Sequence, residues 1–306
     1  MRTQQHGRRI CVLGGSGFIG RHVVARLVAH GHEVVVLTRA RHRHRDLLVL
    51  PTLRLIQGDP FDTGSLHAAM SGCDSVVNLV GIVNESGRAR FQRVHVELVE
   101  KLLDACRATG IRRFIQTSAL KAGLEGPSNY LRTKAQAETR VRESGLAWTI
   151  IQPSVVFGPE DQFINRFARL LKILPVLPLA RPNTRLAPIF VGDVAEAIAR
   201  IIASRTAVGH TYQLCGPRVY SLRELVQAVG VIAGTSRSVI PLPPTLARLQ
   251  AIVMERLPGK PFSQDNLRSL SVHSICDSDA PGLQALRIRP TRLETGLARY
   301  LGRASD

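Results

Sequence analysis

The spacing of three glycines near the start of the chain constrains its fold more than any other feature. A short apolar run, Ile10 to Leu13, leads directly into Gly14, Gly17 and Gly20, and an amphipathic stretch follows from Arg21 to Gly31. This order predicts a strand, a tight turn and a helix. A side chain at Gly14 or Gly17 would keep a dinucleotide pyrophosphate away from the N–H groups at the helix N-terminus, and Gly20 allows close packing of helix and strand. The motif therefore predicts a βαβ unit that binds a nicotinamide dinucleotide.

The length of the chain indicates one large α/β domain with a smaller lobe. With 306 residues, 44% of them hydrophobic, the composition is that of an ordinary globular protein. Residues 1–156 are predicted to form a dinucleotide-binding core of alternating strands and helices. Residues 157–306 are predicted to complete that core at about 189–215 and to form the smaller C-terminal lobe.

The charge of the chain favours anionic partners. The net charge of +18 suits dinucleotide phosphates, nucleotide sugars, anionic lipid headgroups or nucleic acid. The arginines are spread along the chain, and aromatic residues make up only 5% of it. Nucleic-acid binding is therefore not expected.

The cysteines indicate free thiols, because they are odd in number and far apart. Neither a CxxC motif nor a zinc-ligand spacing occurs among Cys11, Cys73, Cys106, Cys215 and Cys276. We expect small buried hydrophobic residues in a reducing cytoplasm. The apolar run behind the basic N-terminus ends too early for a signal peptide, and no stretch reaches the roughly eighteen apolar residues of a membrane span. These patterns predict a cytoplasmic protein that is able to associate peripherally with the inner face of the membrane.

The residues after the second predicted strand decide the cofactor preference. Glu33 to Leu37 reads as a buried strand, and Thr38 and Arg39 follow where a NAD-specific site typically has an acidic residue. An arginine fits a ribose 2′-phosphate, so NADP(H) is the preferred cofactor and NAD(H) the alternative. A solvated basic loop, Arg39 to Arg45, is the other interpretation. Its arginines would repel a metal cation from the intervening histidines, and no metal site is predicted.

Two further strand ends are predicted to contact the cofactor. Asp59 follows the strand Leu53 to Gln57, where its carboxylate is placed to accept a hydrogen bond from the adenine amino group or from backbone N–H groups. The alternative is that Asp59 or Asp62 caps the next helix. The end of the fourth strand, Asn78 to Gly81, includes Val80 and is predicted to flank the cofactor ribose.

A serine, a tyrosine and a lysine form the candidate catalytic set. Ser118 ends the fifth predicted strand, and Tyr130 and Lys134 lie four apart on the following helix, so that they project from the same face. We expect the positive charges of Lys134 and an oxidised nicotinamide to lower the pKa of Tyr130 from about 10 toward neutrality. Tyr130 would then exchange a proton with the substrate oxygen, Ser118 would donate a hydrogen bond to that oxygen, and Lys134 would also bind the nicotinamide ribose.

These motifs together resemble the short-chain dehydrogenase/reductase superfamily, in its extended or atypical branch. The matching segments are Gly14 to Gly20 with Phe18 and Ile19, Gly58-Asp59, Ser118, Tyr130-x-x-x-Lys134, Thr149 to Pro159 with Pro153, and Ile189 to Ile198. The resemblance implies a Rossmann-type doubly wound parallel sheet with a smaller C-terminal substrate or partner lobe. It also implies that Phe18, Ile19, Val80 and Pro153 join the glycines in binding the cofactor.

More narrowly, the chain resembles the group that contains the NADPH-binding accessory subunit of respiratory complex I. The segments Tyr130 to Lys134, Trp148 to Ile151 and Leu257 to Phe262 carry this similarity. It implies NADP(H)-dependent oxidoreduction of an isoprenoid, quinone-like or other apolar carbonyl compound, or association with a respiratory complex. The alternatives are a nucleotide-sugar epimerase or dehydratase and a non-catalytic cofactor-binding interaction module. Tyr130 follows Ser118 by only twelve positions, which is shorter than in typical epimerases.

Four helices are predicted in the C-terminal part. They are Phe163 to Leu174, Leu222 to Ala233 with a capping box at Ser221 and Glu224, Pro244 to Leu257, and a closing helix within Arg289 to Leu301. The helix Pro244 to Leu257 has an apolar face that includes Leu246, Leu249, Val253 and Leu257. Packing against the small lobe is the default interpretation of this face. Contact with a membrane surface or a partner is the alternative.

Overall fold

A computed structural model describes residues 7–301, and a parallel sheet of seven strands lies at its centre. The strands are β1 Arg9–Leu13, β2 Glu33–Thr38, β3 Leu53–Gln57, β4 Ser75–Asn78, β5 Arg113–Thr117, β6 Ala147–Pro153, β7 Val156–Phe157, β8 Val176–Leu179, β9 Arg185–Leu186, β10 Ile189–Phe190, β11 Thr211–Leu214, β12 Tyr220–Ser221 and β13 Ser238–Pro241. The large sheet has the order β3-β2-β1-β4-β5-β6-β11. The strand order reverses between β1 and β4, which places a ligand crevice at the carboxyl ends of these two strands. The predicted doubly wound Rossmann-type sheet is confirmed.

Helices cover both faces of this sheet and form most of the smaller lobe. They are α1 Phe18–Ala29, α2 Thr63–Met70, α3 Leu98–Thr109 with a π-helical segment Gln92–Glu97 before it, α4 Asn129–Arg142, α5 Ile164–Ile173, α6 Val191–Ala203, α7 Leu222–Ile232, α8 Pro244–Arg256, α9 Gln264–Ser269 and α10 Leu293–Ala298. The chain boundary predicted at residue 156 stays a prediction.

The core consists of two apolar layers, one on each face of the sheet. Along β1, Ile10 and Val12 pack with α1 and α6, whereas Cys11 and Leu13 pack with α2 and α3. Successive side chains of a strand point to opposite faces, so a strand covered on both sides needs a continuous apolar run. The run Ile10 to Leu13 before the glycine motif is apolar throughout because both faces of β1 are covered by helices.

Several helix boundaries differ from the predicted ones. The first helix begins at Phe18 rather than at Arg21, because Gly17 is its N-cap. The closing helix is shorter than predicted and begins only at Leu293. The reason is that Asp193 accepts hydrogen bonds from both the N–H and the hydroxyl of Thr291, at 2.7 and 2.9 Å, and so fixes the preceding turn.

The capping box of α7 is confirmed, and a separate apolar cluster supports the smaller lobe. The Ser221 hydroxyl accepts the Glu224 N–H at 3.2 Å, and the Glu224 carboxylate accepts the Ser221 N–H at 2.7 Å. Leu171 of α5, Val226 of α7 and Leu297 of α10 belong to one buried cluster. The lobe therefore has its own core.

The prediction that the apolar face of α8 packs against the lobe is wrong. Leu246, Leu249 and Val253 are exposed, and the residues that face the lobe are the small Ala247 and Ala251. Within residues 7–301, no helix combines the length and the apolar character that crossing a bilayer requires.

The prediction of five free thiols is wrong for one pair of cysteines. Cys215 and Cys276 form a disulfide, whereas Cys11, Cys73 and Cys106 are buried and free. The two bonded residues are separated by 61 positions, and the segment after α9 returns along the end of β11, which brings their Cα atoms to 6.0 Å. Sequence spacing contains no signal for such a return of the chain.

Candidate active site

The glycine motif requires glycine at Gly14, in the turn between β1 and α1, and at Gly20, in the first turn of α1. Gly14 has a φ of +76°, and a Cβ there would lie 3.0 Å from the backbone nitrogen of Val80. A Cβ on Gly20 would lie 2.1 Å from the carbonyl oxygen of Gly14. The Gly17 N–H donates to the same carbonyl at 2.9 Å and closes the turn. Glycine at these positions thus permits both the left-handed turn and the close contact of helix and strand.

The outer side of this turn fits a dinucleotide pyrophosphate. A Cβ at Gly17 would contact only the Gly14 carbonyl oxygen, at 3.2 Å, so the space beyond Gly17 is open. No side chain caps α1, and its first turn contains Phe18 and Ile19. The N–H groups of an uncapped first helical turn, together with the helix dipole, favour an anion at this place. The glycine turn is therefore the part of the protein that would hold the pyrophosphate.

The basic loop after β2 lies beside the first turn of α1. Arg39 is exposed, and short 3-10 turns follow at Arg41–Arg43 and Arg45–Val49. A salt bridge of 3.4 Å between Arg21 and Asp46 links this loop to α1. Arg39 is thus near the end of β2, where a Rossmann fold binds the adenosine ribose. The preference for NADP(H) over NAD(H) stays a prediction.

Asp59 and Asp62 have different local roles. Asp62 is the N-cap of α2, and its carboxylate accepts the Ser65 N–H at 2.7 Å. The Asp59 carboxylate accepts the Phe61 N–H at 3.0 Å, and the residue is exposed to solvent. Asp59 is therefore not the helix cap, and the hydrogen bond to adenine stays a prediction for it.

Val80 and Pro153 lie at the carboxyl edge of the sheet. The Val80 N–H donates to the Asn78 side chain at 3.1 Å, immediately after β4. Pro153 ends β6, and its carbonyl oxygen accepts the Leu120 N–H at 3.1 Å. The structure thus brings both to the edge that contains the glycine turn, and their contacts with a cofactor stay predictions.

The candidate catalytic residues meet where β4 and β5 end. The buried ammonium of Lys134 donates to the Thr117 carbonyl oxygen at 3.3 Å, and Ser118 is the next residue along the chain. A Cβ on Gly81 would lie 3.1 Å from Lys134 Nζ. Lys134 Nζ also lies 6.0 Å from the centroid of the Tyr130 ring. The helical spacing thus directs the tyrosine and the lysine to one edge of the sheet.

Two buried hydroxyl groups at this edge have no internal partner. Within the described part of the chain, neither Ser118 Oγ nor Thr117 Oγ1 makes a hydrogen bond. A buried hydroxyl without a partner is costly, so such groups in a native structure indicate a ligand or a functional role. The Ser118 hydroxyl is therefore available to a substrate oxygen.

Phe91 and His95 enclose the Tyr130 ring. The ring centroids lie 6.0 Å from Phe91 and 5.6 Å from His95, both with edge-on geometry. His95 Nε2 accepts the Ile82 N–H at 3.2 Å, so its Nδ1 carries the proton and donates to Thr133 Oγ1 at 2.9 Å. Burial and the nearby Lys134 charge lower the pKa of His95 to about 2. His95 is thus a neutral packed residue that fixes the loop after β4.

Burial shifts the pKa values of Tyr130 and Lys134 in a direction that the sequence did not indicate. It raises the pKa of Tyr130 to about 12 and lowers the pKa of Lys134 to about 8, although the Glu138 charge acts in the opposite sense on the lysine. The predicted lowering of the pKa of Tyr130 is thus not a property of the protein itself, because burial of the phenol raises its pKa. Near neutral pH both side chains hold their protons, and Tyr130 is able to donate one.

Glu138 extends this set by one helical turn, and the sequence analysis missed it. Its carboxylate is buried and accepts hydrogen bonds from Gln152 and Arg142, each at 2.7 Å. Glu138 lies four residues after Lys134, so the spacing that identified Tyr130 and Lys134 would have identified it too.

Asp265 joins the smaller lobe to the start of α4, and no sequence signal indicated it. One carboxylate oxygen accepts the Asn129 N–H at 2.7 Å, and the other accepts the Tyr130 N–H at 3.1 Å. A cleft of about 170 Å³ opens beside this contact. Its lining includes Glu85, Phe91, Asn129, Glu255, Lys260 and Arg268. Residues of both lobes therefore line a cleft beside Asn129, the residue that precedes Tyr130.

This arrangement has the components of acid–base chemistry next to a dinucleotide site. It contains a proton donor, a buried cation and an unpaired hydroxyl at the edge where the glycine turn lies. Among residues 7–301, no three His, Cys, Asp or Glu residues lie close enough to hold a metal ion. The side chains that meet at this edge are suited to exchanging a proton with a substrate oxygen.

Comparison with known proteins identifies the family and the fold. The sequence profile of the family described as NAD(P)H-binding matches residues 14–166. A UDP-glucose 4-epimerase from Thermus thermophilus, solved in complex with NAD, superposes with a TM-score of 0.74 at 25% identity and covers 97% of this chain and 100% of its own. The fold is thus shared with an enzyme whose structure contains NAD.

Two curated relatives are more similar in sequence. Subunit 9 of the NADH dehydrogenase (ubiquinone) 1 alpha subcomplex, from the mitochondria of Rattus norvegicus, is 32% identical over 96% of this chain and 79% of its own length. A ceramide reductase from Caulobacter vibrioides is 30% identical over 76% of this chain and 73% of its own. The protein therefore belongs to the NAD(P)H-binding family of atypical short-chain dehydrogenases/reductases, in the group that contains this accessory subunit of respiratory complex I.

Proposed function

We propose that the protein is an NADP(H)-dependent oxidoreductase that acts on the carbonyl or hydroxyl group of an apolar or amphiphilic compound. One observation carries this proposal: Tyr130, Lys134 and the unpaired hydroxyl of Ser118 lie at one edge of the sheet. A protein that only binds a nucleotide has no need of this set. The predicted isoprenoid or quinone-like substrates belong to the proposed class, and so does the lipid named for the ceramide reductase relative.

The glycine turn would hold the cofactor, which supplies or accepts the hydride when bound. Gly14, Gly17 and Gly20 expose the first N–H groups of α1, and Arg39 is the candidate for the 2′-phosphate of NADP(H). We infer that Asp59, Val80 and Pro153 contact the adenosine or the ribose, as their places at the strand ends suggest.

Tyr130, Ser118 and Lys134 have different roles in proton transfer to the substrate oxygen. In the direction of reduction, the Tyr130 hydroxyl gives its proton to the carbonyl oxygen of the substrate, and the Ser118 hydroxyl donates a hydrogen bond to the same oxygen. A pKa of about 12 keeps Tyr130 protonated for this step. The Lys134 ammonium stabilises the phenolate that forms. Phe91 and His95 cover the ring and limit the access of water.

A non-catalytic role on a respiratory complex is the second candidate. It is favoured by the 32% identity to the complex I subunit over nearly the whole chain. A nucleotide-sugar epimerase or dehydratase shares the fold, but Tyr130 follows Ser118 by only twelve positions, which is shorter than in typical epimerases. We further propose that the protein is cytoplasmic and is held at the inner face of the membrane by its smaller lobe.

Analysis of the retained nucleotide tests the cofactor part of the proposal. The nucleotide released from freshly purified, denatured protein is identified by mass spectrometry, and its exchange with added nucleotide is then followed. Exchangeable NADP(H) supports the oxidoreductase, whereas non-exchanging NADPH supports the accessory role and bound NAD(H) supports the epimerase. An Arg39→Asp variant is expected to reduce the preference for NADPH over NADH, and an unchanged preference would contradict the role of Arg39.

The Tyr130→Phe variant tests the catalytic part. With an identified carbonyl substrate, the variant is expected to lose about 10²- to 10⁴-fold in kcat, the usual contribution of a general acid or base. NADPH binding should persist, because the hydroxyl is not part of the glycine turn. Full activity in this variant would remove Tyr130 from the mechanism.

A further inference from the structure

Helix α8 buries its small residues and exposes its large ones. Ala247 and Ala251 are 4% and 0% exposed, whereas the exposed fractions are 49% for Leu246, 56% for Leu249 and 52% for Val253, and 47% for Leu257 just beyond the helix. A helix that packs on a globular core normally shows the reverse pattern. The apolar side chains of α8 are therefore not used for the folding of the lobe.

The exposed residues form one continuous stripe. Their positions differ by three, seven and eleven from Leu246, so they lie on one side of the helix. We call Leu246, Leu249, Val253 and Leu257 the α8 stripe. The opposite side is held against the lobe by Ala180 and Leu267. The helix is thus fixed in place, and the α8 stripe faces outward.

The charges around the α8 stripe are positive. Exposed arginines occur before the helix at Arg237 and within it at Arg248 and Arg256. Glu255 is the one acidic residue between Arg237 and Lys260 in the sequence. It is half-buried, lines the cleft and accepts a hydrogen bond from Gln264 at 3.3 Å. The outer surface of α8 therefore combines apolar side chains with guanidinium groups.

We propose that α8 lies in the plane of a bilayer that contains anionic lipids. The α8 stripe would enter the boundary between headgroups and acyl chains, and Arg248 and Arg256 would contact lipid phosphates. This orientation suits a chain with a net charge of +18, since the inner leaflet is anionic. The exposed guanidinium groups of Arg248 and Arg256 favour an anionic lipid surface over an apolar protein partner.

The position of α8 gives this contact a consequence for the substrate. Glu255 at the end of α8 and Lys260 after it line the cleft together with Phe91 and Asn129. Phe91 packs on the Tyr130 ring, and Asn129 immediately precedes Tyr130 in α4. This step rests on the proposed function: an amphiphilic substrate would keep its tail in the bilayer and place its polar carbonyl group in the cleft.

Vesicle flotation of the full chain tests the proposal. Vesicles of phosphatidylcholine alone are compared with vesicles that also contain phosphatidylglycerol at about one lipid in three. The wild type is expected to float with the anionic vesicles, and a Leu249→Glu/Val253→Glu variant is expected to lose at least about tenfold in the bound fraction. Val231→Glu in α7 is the matched control, because Val231 is also apolar and 67% exposed. It should float like the wild type.

Further measurements separate the outcomes. Arg248→Gln/Arg256→Gln should reduce the dependence of binding on phosphatidylglycerol. Nucleotide retention and the melting temperature, measured on the same samples, establish that each variant is folded. The proposed contact of α8 with the bilayer would be overturned by either of two results. One is flotation of the Leu249→Glu/Val253→Glu variant at the wild-type level, and the other is a wild type that does not bind anionic vesicles. Either result with NADP(H) still bound would leave the proposed oxidoreductase activity intact and would overturn only the proposed membrane association.

Discussion

Two glycines of one turn are predicted to respond differently to the same substitution. Gly20→Ala would place a Cβ 2.1 Å from the Gly14 carbonyl oxygen, so we expect a loss of about 3 kcal/mol in the free energy of unfolding. Gly17→Ala meets only that carbonyl, at 3.2 Å, and should leave the protein folded. It should nevertheless weaken NADPH binding by about tenfold, because its methyl group occupies the pyrophosphate side of the turn.

Urea denaturation and NADPH fluorescence measure these two effects separately. The result that contradicts the assignment is a folded Gly17→Ala variant with wild-type NADPH affinity. The glycine spacing in the sequence predicts that the motif binds a dinucleotide. Which glycine serves packing and which serves the ligand follows only from the backbone of β1 and α1.

The pH dependence of cofactor binding should report on Lys134. Its pKa of about 8 means that the ammonium is lost as the pH rises through 8, and with it the hydrogen bonds it would donate to the nicotinamide ribose. NADPH binding should therefore weaken above pH 8. The Glu138 charge raises the pKa of Lys134, so Glu138→Gln should move the midpoint of this weakening to a lower pH.

Fluorescence titration of NADPH at a series of pH values gives this midpoint. Glu143→Gln is the control, because Glu143 lies at the exposed end of the same helix. Equal midpoints in the wild type and in Glu138→Gln would show that the carboxylate does not act on the lysine. Helical spacing predicted that the side chains of Tyr130 and Lys134 project from the same face of their helix. Their pKa values were not, since burial is a property of the assembled fold.

At the scale of elements, the start of α4 depends on a residue 135 positions beyond Tyr130. Asp265→Ala would leave the N–H groups of Asn129 and Tyr130 without their acceptor. We expect a loss of about 1–2 kcal/mol in stability, the usual cost of removing a helix cap. We also expect faster hydrogen exchange at these two amides, as measured by mass spectrometry.

The exposed Asp279 supplies a control for this prediction, since it is also acidic and lies in the same lobe. Asp279→Ala should leave both stability and exchange at the wild-type level. Ser128 is the N-cap of α4, and its hydroxyl accepts the Leu131 N–H at 3.2 Å. Unchanged exchange at Asn129 in Asp265→Ala would mean that this cap alone fixes the start of the helix. The Ser128 cap and the capping box of α7 were open to prediction because both partners lie within four residues. A cap supplied by another lobe has no such local pattern.

The burial of α8 shows the same limit of prediction. Its apolar face was evident from the sequence, but the choice between core and solvent was not. Ala247 and Ala251 decide it, because small side chains allow α8 to approach Ala180 and Leu267 closely. The helical period of the apolar residues therefore predicted that α8 has an apolar face, and the packing of the lobe determined that this face is exposed to solvent.

At the scale of the whole molecule, the disulfide ties the smaller lobe to the sheet. Cys215 follows β11, and Cys276 lies in the segment after α9. Asp277, the next residue, forms a salt bridge with Lys121, three residues after Ser118. The same carboxyl group accepts a hydrogen bond from Gln213 of β11 at 2.9 Å. The bond thus holds a segment that contacts the loop behind the candidate active site.

Removal of this bond is predicted to destabilise the protein and to affect turnover more than cofactor retention. For a closed loop of 61 residues, the chain-entropy estimate is about 4 kcal/mol of stability. Cys215→Ser/Cys276→Ser should therefore unfold at a lower urea concentration than the wild type. Cys73→Ser is the control, since this thiol is buried but free. Cys73→Ser should keep the wild-type urea midpoint and should lose stability in a thiol reductant as the wild type does, because it retains the disulfide.

Loss of the disulfide should affect nucleotide retention and turnover differently, because the glycine turn lies between β1 and α1, away from Cys276. The folded Cys215→Ser/Cys276→Ser variant is expected to keep its bound nucleotide, which mass spectrometry measures. Turnover should fall, because the loss of the Lys121–Asp277 contact loosens the chain that follows Ser118. A variant with wild-type stability would show that the bond does not restrict the unfolded chain. A variant that lost its nucleotide while still folded would instead show that the disulfide supports the cofactor side of the sheet.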